Sequence, residues 1–507
     1  MKQLHSIVQV LRALPTLALL LAVLAPAGLR AQGTTGTISG TVHDSSGAVV
    51  PGAEVVIIHT DTGTTRTVAA GAQGRYLVSN LALGNYTVQA SSQGFQTELR
   101  SGLALTVGQQ AVINFTLNPG AVSEVVTIQE SAPLVDTTSA AVGTLVNREQ
   151  IRDLPLNGRD YTQLALLQPG VVQYREQSRE VNRGMGTRFS VSGARHNQVS
   201  FRLNGLDISD GAGTSPGSAT GHNLGLDAIQ EFQVLTNTFG AEYGKSAGGI
   251  LNVVHKAGTN TLHGSLFHYL RNSAVDSPNY FDSDQQTDPF KRNQFGGSAG
   301  GPILRDKLFF FGNYEGLRER LAVTGTNNVM TAAAKNGALG PVNPAIKPYL
   351  DLIPLPNIIT PQDAALALLG RGTRETTTST KSTEEYIVGK GDYNISESDN
   401  ISGSYTFDDG QFGGPSPRDG IVISESLTDN RNQYVTLGQT HTFSPSMLNA
   451  FRFGMNRSHI VAYRYPLITV PQSLELVPGI PNFSFEVTGL DGMQFLMEPI
   501  PYNIFKH

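Results

Sequence analysis

Apolar and polar positions alternate in short runs between residues 36 and 118. In TISGTVHD (37–44), Ile38, Gly40 and Val42 fall on one face of a strand, and Ser45-Ser46-Gly47 turns the chain. Pro51-Gly52 marks a second turn. AEVVIIHT (53–60), GRYLV (74–78), NYTVQAS (85–91) and AVINFTL (111–117) read as further strands. Turn signals at a spacing of about 8–12 residues are those of an immunoglobulin-like β-sandwich. Asn118-Pro119-Gly120 closes this stretch, and Ser123 to Gln129 follows as an isolated strand-like segment in which Glu124 leads Val125, Val126, Thr127 and Ile128, open to three readings: a strand that couples to a partner, the last strand of the sandwich, or a plain linker.

The pattern then becomes mixed. A short helix is expected around Asp160 to Leu167, stopped by Pro169-Gly170. Residues 191–210 read as strand-rich with a turn at Asn204-Gly205, and 226–236 as a short helix or turn running into a strand. Past Asn260 the segments lengthen and alternate strictly. ISGSYTFD (401–408) sets Ile401, Gly403, Tyr405 and Phe407 against Ser402, Ser404, Thr406 and Asp408, and NAFRFGMNR (449–457) sets Phe451, Phe453 and Met455 against Arg452, Gly454 and Asn456. Apolar-out, polar-in alternation of this kind marks lipid-facing barrel strands. Ser396 to Asp399 and Ser444-Pro445-Ser446 read as short turns, whereas a polar stretch of about 70 residues separates strands near 307–316 and 385–395; short inner turns alternating with long outer loops are the outer-membrane signature. The chain thus divides into residues 1–31, a sandwich at 34–118, a linker at 119–133, an α+β domain at 134–258 and a transmembrane antiparallel β-barrel region at 259–507. The fold class is mainly β.

The N-terminus changes the compartment. Lys2 and Arg12 precede an apolar run from Ala13 to Ala27, and small residues follow, with cleavage expected after Ala27 or Ala31. A spanning helix needs ~20 apolar residues, so 1–31 reads as a cleaved export signal. No second long apolar run occurs, which excludes a polytopic helical membrane protein.

Composition narrows the chemistry. With no Cys, disulfides, thiolate metal sites and a Cys nucleophile are excluded. A net charge of −5 gives no basic nucleic-acid footprint. None of the 11 His has Glu three residues later, as a zinc-peptidase ligand pair would require. Gly244-Lys245-Ser246 imitates the end of a phosphate loop, but Phe239 stands where the first Gly is needed. Gly244-x-Ser246-x-Gly248 and Gly296-x-Ser298-x-Gly300 satisfy a nucleophile-elbow pattern without the following helix it needs. Asp282, Asp284 and Asp288 lack the Gly and terminal Glu of a calcium loop and read as a solvated loop. No catalytic residue, metal ligand or cofactor is assigned.

The ordered motifs carry a resemblance. Gly40-Thr41-Val42, Pro51-Gly52-Ala53, Gly74-Arg75-Tyr76 and Leu83-Gly84-Asn85-Tyr86 resemble the carboxypeptidase-regulatory-like domain, a carbohydrate-binding-like fold whose name imports no peptidase activity. Asn157-Gly158-Arg159, Gly193 and Arg195, Asn204-Gly205, Gly244 and Gly248-Gly249 resemble the plug of TonB-dependent outer-membrane receptors, in particular the Oar-like group. That group usually has Asp where this chain has Asn204. His263-Gly264-Ser265, Asn293-Gln294-Phe295-Gly296-Gly297, Gly300-Gly301-Pro302, Lys307-Leu308-Phe309-Phe310-Phe311 and Tyr314-Glu315 resemble its barrel strands. The resemblance implies an outer-membrane receptor or transporter rather than an enzyme. Glu124, Val125, Val126, Thr127 and Ile128 would be the TonB box that pairs with a partner strand. The TonB–ExbB–ExbD complex would supply energy, with membrane lipid and an extracellular peptide, protein or glycan as the other partners. An adhesin or glycan binder, with the sandwich as binder, is the alternative. Plugged transporters have ~22 strands, which need at least ~440 residues at ~20 per strand and connection. Residues 260–507 suffice for roughly eight to twelve, so the barrel is expected to be partial and the sequence truncated.

Overall fold

The computed structural model describes residues 33–506 apart from Glu124, 130–140, 174–187, 210–215, 217, 219–220, 241–242, Lys245, 278–286, 288, 360–362, 416–420, 445–446, 469–470, 476–482, 486–492 and 496–499. The export signal, Glu124, Lys245 and the Asp282, Asp284 and Asp288 group therefore lie outside the described residues.

The N-terminal domain is a sandwich of two sheets. Its strands are β1 (Gly36–Asp44), β2 (Glu54–His59), β3 (Thr65–Ala69), β4 (Arg75–Leu81), β5 (Gly84–Ser91), β6 (Thr97–Leu105), β7 (Gln110–Val112), β8 (Phe115–Leu117) and β9 (Val125–Gln129). One sheet runs β4-β1-β7 with β8 also on β1, and the other runs β3-β2-β5-β6-β9. Period-2 alternation drives Ile38, Val42, Val55, Ile57, Val88, Phe115 and Leu117 between the sheets, where each is at most 1% exposed. Burying such a side chain contributes about 1.5–3 kcal/mol. The segment read as an isolated strand is not isolated. β9 pairs in parallel with β6, from Thr97↔Val125 to Ser101↔Gln129. β6 would otherwise end its sheet with unpaired backbone groups, and the β-branched run supplies their partners.

The second domain holds β10 (Val142–Val146), α1 (Arg148–Asp153), α2 (Thr162–Ala165), β11 (Val171–Gln173), β12 (Phe189–Val191), β13 (Ser200–Leu203), β14 (Leu206–Asp207), β15 (Ile229–Asn237) and β16 (Ile250–His255). Its main sheet runs β10-β15-β16-β13-β14, and β16 is buried along its whole length. α2 falls inside the expected 160–167 helix. α1 carries no clear apolar period and starts on a capping box between Asn147 and Gln150.

Then come β17 (His263–Asn272), β18 (Phe290–Leu304), β19 (Leu308–Met330), α3 (Ala332–Lys335), α4 (Lys347–Asp351), α5 (Asp363–Leu368), β20 (Arg371–Asn394), β21 (Asp399–Pro415), β22 (Ser424–Ser444), β23 (Met447–Pro466), β24 (Phe483–Phe485), β25 (Met493–Phe495) and β26 (Ile500–Lys506). β17 to β23 and β26 form one eight-stranded antiparallel sheet, each strand beside the next, while β24 and β25 make a separate hairpin. Among the described residues β17 and β26 do not meet, so the sheet is an open arc of barrel wall. The expected 70-residue loop is shorter than its sequence suggests. β19 and β20 pair from Leu308↔Tyr393 to Met330↔Arg371, leaving only 331–370 as connection. Beyond the hydrocarbon β20 is polar on both faces from Thr373 to Glu384, as at the Thr324–Thr377 hydroxyl pair, 2.9 Å apart, while β19 carries Leu321-Ala322-Val323 in one run, so the alternation that announces a strand is lost on both.

The second domain packs against the buried face of this sheet: Tyr434 of β22 joins its core and Arg159 reaches Glu315 of β19. The sandwich sits at the short-turn end: Asn394 Nδ2 donates to Thr64 Oγ1 at 2.8 Å, Arg66 donates to Thr442 Oγ1 at 2.6 Å, and Asn80 reaches Thr440.

Candidate functional site: the plug–barrel seam and the edge strand

The Asn157-Gly158-Arg159 loop is where the inner domain grips the wall. Gly158 has φ +72° and Arg159 φ +56°, a left-handed pair that turns the Arg159 side chain onto β17 and β19. Its guanidinium lies 3.8 Å from the Phe267 ring centroid and 5.3 Å from that of Tyr269. Arg159 Nε reaches Glu315 Oε1 at 3.2 Å, and another guanidinium nitrogen reaches Asp227 Oδ2 at 3.3 Å. Glu315 is fully buried and is also held by Gln294 Nε2 at 2.6 Å and the Gly225 N–H at 3.0 Å. Gln294 Nε2 donates as well to the Gly158 carbonyl, at 3.1 Å. One carboxylate thus ties three segments together, and a buried charge of this kind is tolerable only when so fully partnered. Gly225, at φ +86°, has no room for a side chain: a Cβ there would lie 2.1 Å from the Tyr386 ring.

A second contact centres on Asn204. Asn204 (φ +50°) and Gly205 (φ +86°) form the tight turn between β13 and β14. Asn204 Oδ1 accepts the His255 N–H at 3.0 Å, and its Nδ2 donates to Ser404 Oγ at 3.1 Å, with His255 Nδ1 at 3.3 Å. Burial, with Lys390 nearby, lowers the His255 pKa to about 3. A neutral imidazole beside a serine hydroxyl accepts donors that a carboxylate at 204 would lack, which is the physical reason Asn suits this chain.

The remaining motif residues shape the inner domain rather than the seam. Gly193 (φ +77°) and the exposed Arg195 sit on the turn after β12. The Gly244 carbonyl accepts from Arg202 at 3.2 Å. Gly248 and Gly249 let backbones approach: a Cβ on Gly249 would lie 2.3 Å from Val191. Ser246 Oγ donates to the Gln198 and Gly249 carbonyls, at 2.6 and 3.1 Å, and Ser298 Oγ lies 2.9 Å from Ser265 Oγ within the wall. Neither serine opens a helix; β16 follows the first and the rest of β18 the second.

Beneath the inner domain a cavity of about 1890 Å³ separates it from the sandwich, lined by Arg66, Asn80, Glu231, His255, Lys390 and Arg452 among others. Across it Glu231 Oε1 accepts the buried Val107 N–H of the sandwich at 2.5 Å. Burial raises the Glu231 carboxyl to about 7, against the pull of that hydrogen bond. At the end of its sheet β9 is exposed at every position, and its outer edge has no strand partner among the described residues.

Three family descriptions match successive stretches of the chain: a carboxypeptidase regulatory-like domain over 37–118, a TonB-dependent receptor plug domain over 135–250 and an outer membrane beta barrel domain over 254–498. The chain belongs to the TonB-dependent receptors. Its sandwich is the regulatory-like domain, its inner domain the plug, and its arc the wall of an outer-membrane barrel. It is 29% identical over 322 residues to the TonB-dependent transporter Oar of Myxococcus xanthus, covering 60% of this chain and 29% of that protein. The receptor chain thus spans under a third of the length of this curated relative. Among solved structures, the outer membrane transporter YddB of Escherichia coli matches with a TM-score of 0.43 at 12% identity, over 63% of this chain and 39% of that one. The siderophore receptor PiuA of Acinetobacter baumannii matches with a TM-score of 0.37 at 11% identity, over 72% and 53%.

Sequence motifs single out Arg159 in this receptor but not what it grips. Gln294 and Glu315 stand in motifs of the barrel strands, and the only signal that could have paired Glu315 with the plug is a carboxylate at an inward-facing strand position. Glu231 and Val107 give no sequence signal of their contact.

Proposed function

We propose that this receptor takes up an external ligand across the outer membrane, and that its TonB box is the segment Glu124 to Ile128. The observation that carries the reading is the placement of β9. It lies between the sandwich and the plug in sequence, is exposed along its length and ends a sheet. An extended strand with a free edge is what β-strand addition by a partner requires. TonB, driven by the inner-membrane proton motive force through ExbB and ExbD, pairs with it and pulls. The pull reaches the plug through the chain that follows β9 and through the Val107–Glu231 contact. The plug yields at the Arg159–Glu315 seam, and the ligand passes into the cavity above the sandwich. No covalent chemistry is required of the receptor. The ligand is large, a peptide, protein or glycan, as the sequence resemblance implies, and export proceeds through the 1–31 signal.

The adhesin alternative fares worse. Short turns of outer-membrane barrels face the periplasm, and the sandwich packs on that end, where it does not face an external glycan. The test is capture of the purified periplasmic domain of TonB by the receptor in detergent. A photo-crosslinker at Val126 is expected to capture it, and deletion of 123–129 to abolish binding while the melting temperature of the barrel is unchanged. Undiminished binding after the deletion would overturn the assignment.

A further inference from the structure

Three cations occupy one row on the outer face of the wall. Lys291 of β18 stands directly opposite Arg320 of β19, and Arg320 directly opposite Lys381 of β20. The face is fixed by alternation. Gln294, Glu315, Ser382 and Glu384 point inward and are buried, whereas Lys291, Arg320 and Lys381 are exposed. Like charges directly opposite on adjacent strands destabilise a sheet, and here two such pairs stand in succession. Neighbouring cations are neutralised within the chain: Arg292 pairs with Glu319 at 2.5 Å, and Arg318 with Glu385. Among the described residues, Lys291, Arg320 and Lys381 have no carboxylate partner.

The height of the row identifies what meets it. Leu308 follows the short turn at Arg305 to Lys307, on the periplasmic side. The lipid-facing band of such a wall is ~25 Å tall and its strands tilt ~35–45°. At ~3.4 Å per residue, that band spans roughly ten residues of β19 and ends near Arg318 to Arg320. The outward side chains agree. Phe310 and Tyr314 on β19, Ile387 on β20 and Phe295 on β18 lie below, and the polar positions begin at Asn293, Arg318 and Glu385, the last two paired with each other. The row therefore stands where the acyl chains of the outer leaflet give way to headgroups, on the lipid side of the wall and not in the lumen.

We propose that Lys291, Arg320 and Lys381 bind the phosphate groups of an anionic glycolipid of the outer leaflet, whose acyl chains lie against Tyr314, Phe295 and Ile387. Phosphate oxygens take the charge-assisted donors of all three side chains and remove the repulsion along the row. The site stands independently of the transport reading.

The probe is purified bis-phosphorylated lipid A, titrated into the full chain in non-ionic detergent and followed by native mass spectrometry and thermal melting. Wild type is expected to retain lipid A and to gain melting temperature with it. The triple variant K291Q/R320Q/K381Q is expected to bind at least tenfold more weakly and, without lipid, to melt at or above wild type, because the repulsion is gone. The K291R/K381R variant is expected to bind as wild type does. Enzymatically dephosphorylated lipid A is expected to lose the difference between wild type and triple variant. Equal retention of lipid A by wild type and the triple variant overturns the proposal, as does full displacement of lipid A by millimolar inorganic phosphate, which would mark a simple anion site.

Discussion

Arg159 of the plug and Glu315 of the barrel wall are joined by a charge pair at 3.2 Å that is nearly sealed from solvent, the guanidinium side chain 12% exposed and the carboxylate 0%. The pair is more than a contact. Gln294 and the Gly225 N–H complete the carboxylate, so the loop bearing Arg159, the turn bearing Gly225 and β19 share one anchor.

Breaking one side of a buried pair leaves the other charge uncompensated, which costs on the order of 3–5 kcal/mol. Arg159→Ala is therefore expected to lower the melting temperature in detergent and to expose the plug to protease. Glu315→Gln is expected to do less, because its amide keeps an acceptor for the Gly225 N–H. The double variant is expected to fall well short of the sum of the two losses. Additive losses would show that the two residues act separately.

Gly225 tests the same anchor from the steric side. Gly225→Ala combines a left-handed backbone with a Cβ driven into the Tyr386 ring. A loss of about 1–3 kcal/mol is expected, read as a lowered melting midpoint. Gly47, left-handed at φ +85° but with open space around its Cβ position, is the control: Gly47→Ala carries the backbone strain alone.

Docking of the sandwich on the plug is expected to depend on pH through Glu231. Its folded pKa of about 7 stands above the 4.5 of a free glutamate. The folded chain keeps a proton that the unfolded chain releases, so stability is greatest below 4.5, falls as pH rises through the interval and levels off above 7. Glu231→Gln keeps an oxygen for the Val107 N–H and is expected to flatten this slope, measured as hydrogen exchange at Val107 between pH 5 and 8. An unchanged slope in the variant would place the titration elsewhere.

Asn204→Asp restores the residue usual in the resembling group and is expected to destabilise this chain. The carboxylate cannot donate to Ser404 and faces a neutral His255, a loss of about 1–3 kcal/mol. It also raises the His255 pKa from about 3, because a negative neighbour favours the imidazolium. The melting deficit relative to wild type is accordingly expected to shrink as pH falls, which melting curves at pH 8 and pH 5.5 would reveal.

Much of the architecture was legible along the chain. Ile38 and Val42, or Tyr405 and Phe407, declare their strands because a half-buried strand alternates with period two. The same rule failed where alternation breaks down, on β20 because both faces are polar and on β19 because Leu321-Ala322-Val323 fall in one run, so the outer ends of both read as loop. It failed again at β9, where a short run of β-branched residues shows strand character but carries no mark of the strand it will join. At the seam, the Asn157-Gly158-Arg159 turn was visible through its glycine and its motif, whereas its counterion 156 residues later was not.

By itself, then, the order of residues determined most of the strands and turns, because these follow from periodicity and turn chemistry within a few neighbours, and its ordered motifs carried the resemblance to a plug set between a sandwich and a wall facing lipid. Only the tertiary structure decided that β9 closes the edge of β6, that Arg159 meets Glu315, that Glu231 holds Val107 and that Lys291, Arg320 and Lys381 share one row. Each of these depends on register between distant strands or on docking between domains, and the free energy that selects them arises from burial and charge in the assembled molecule, not from any local stretch of chain.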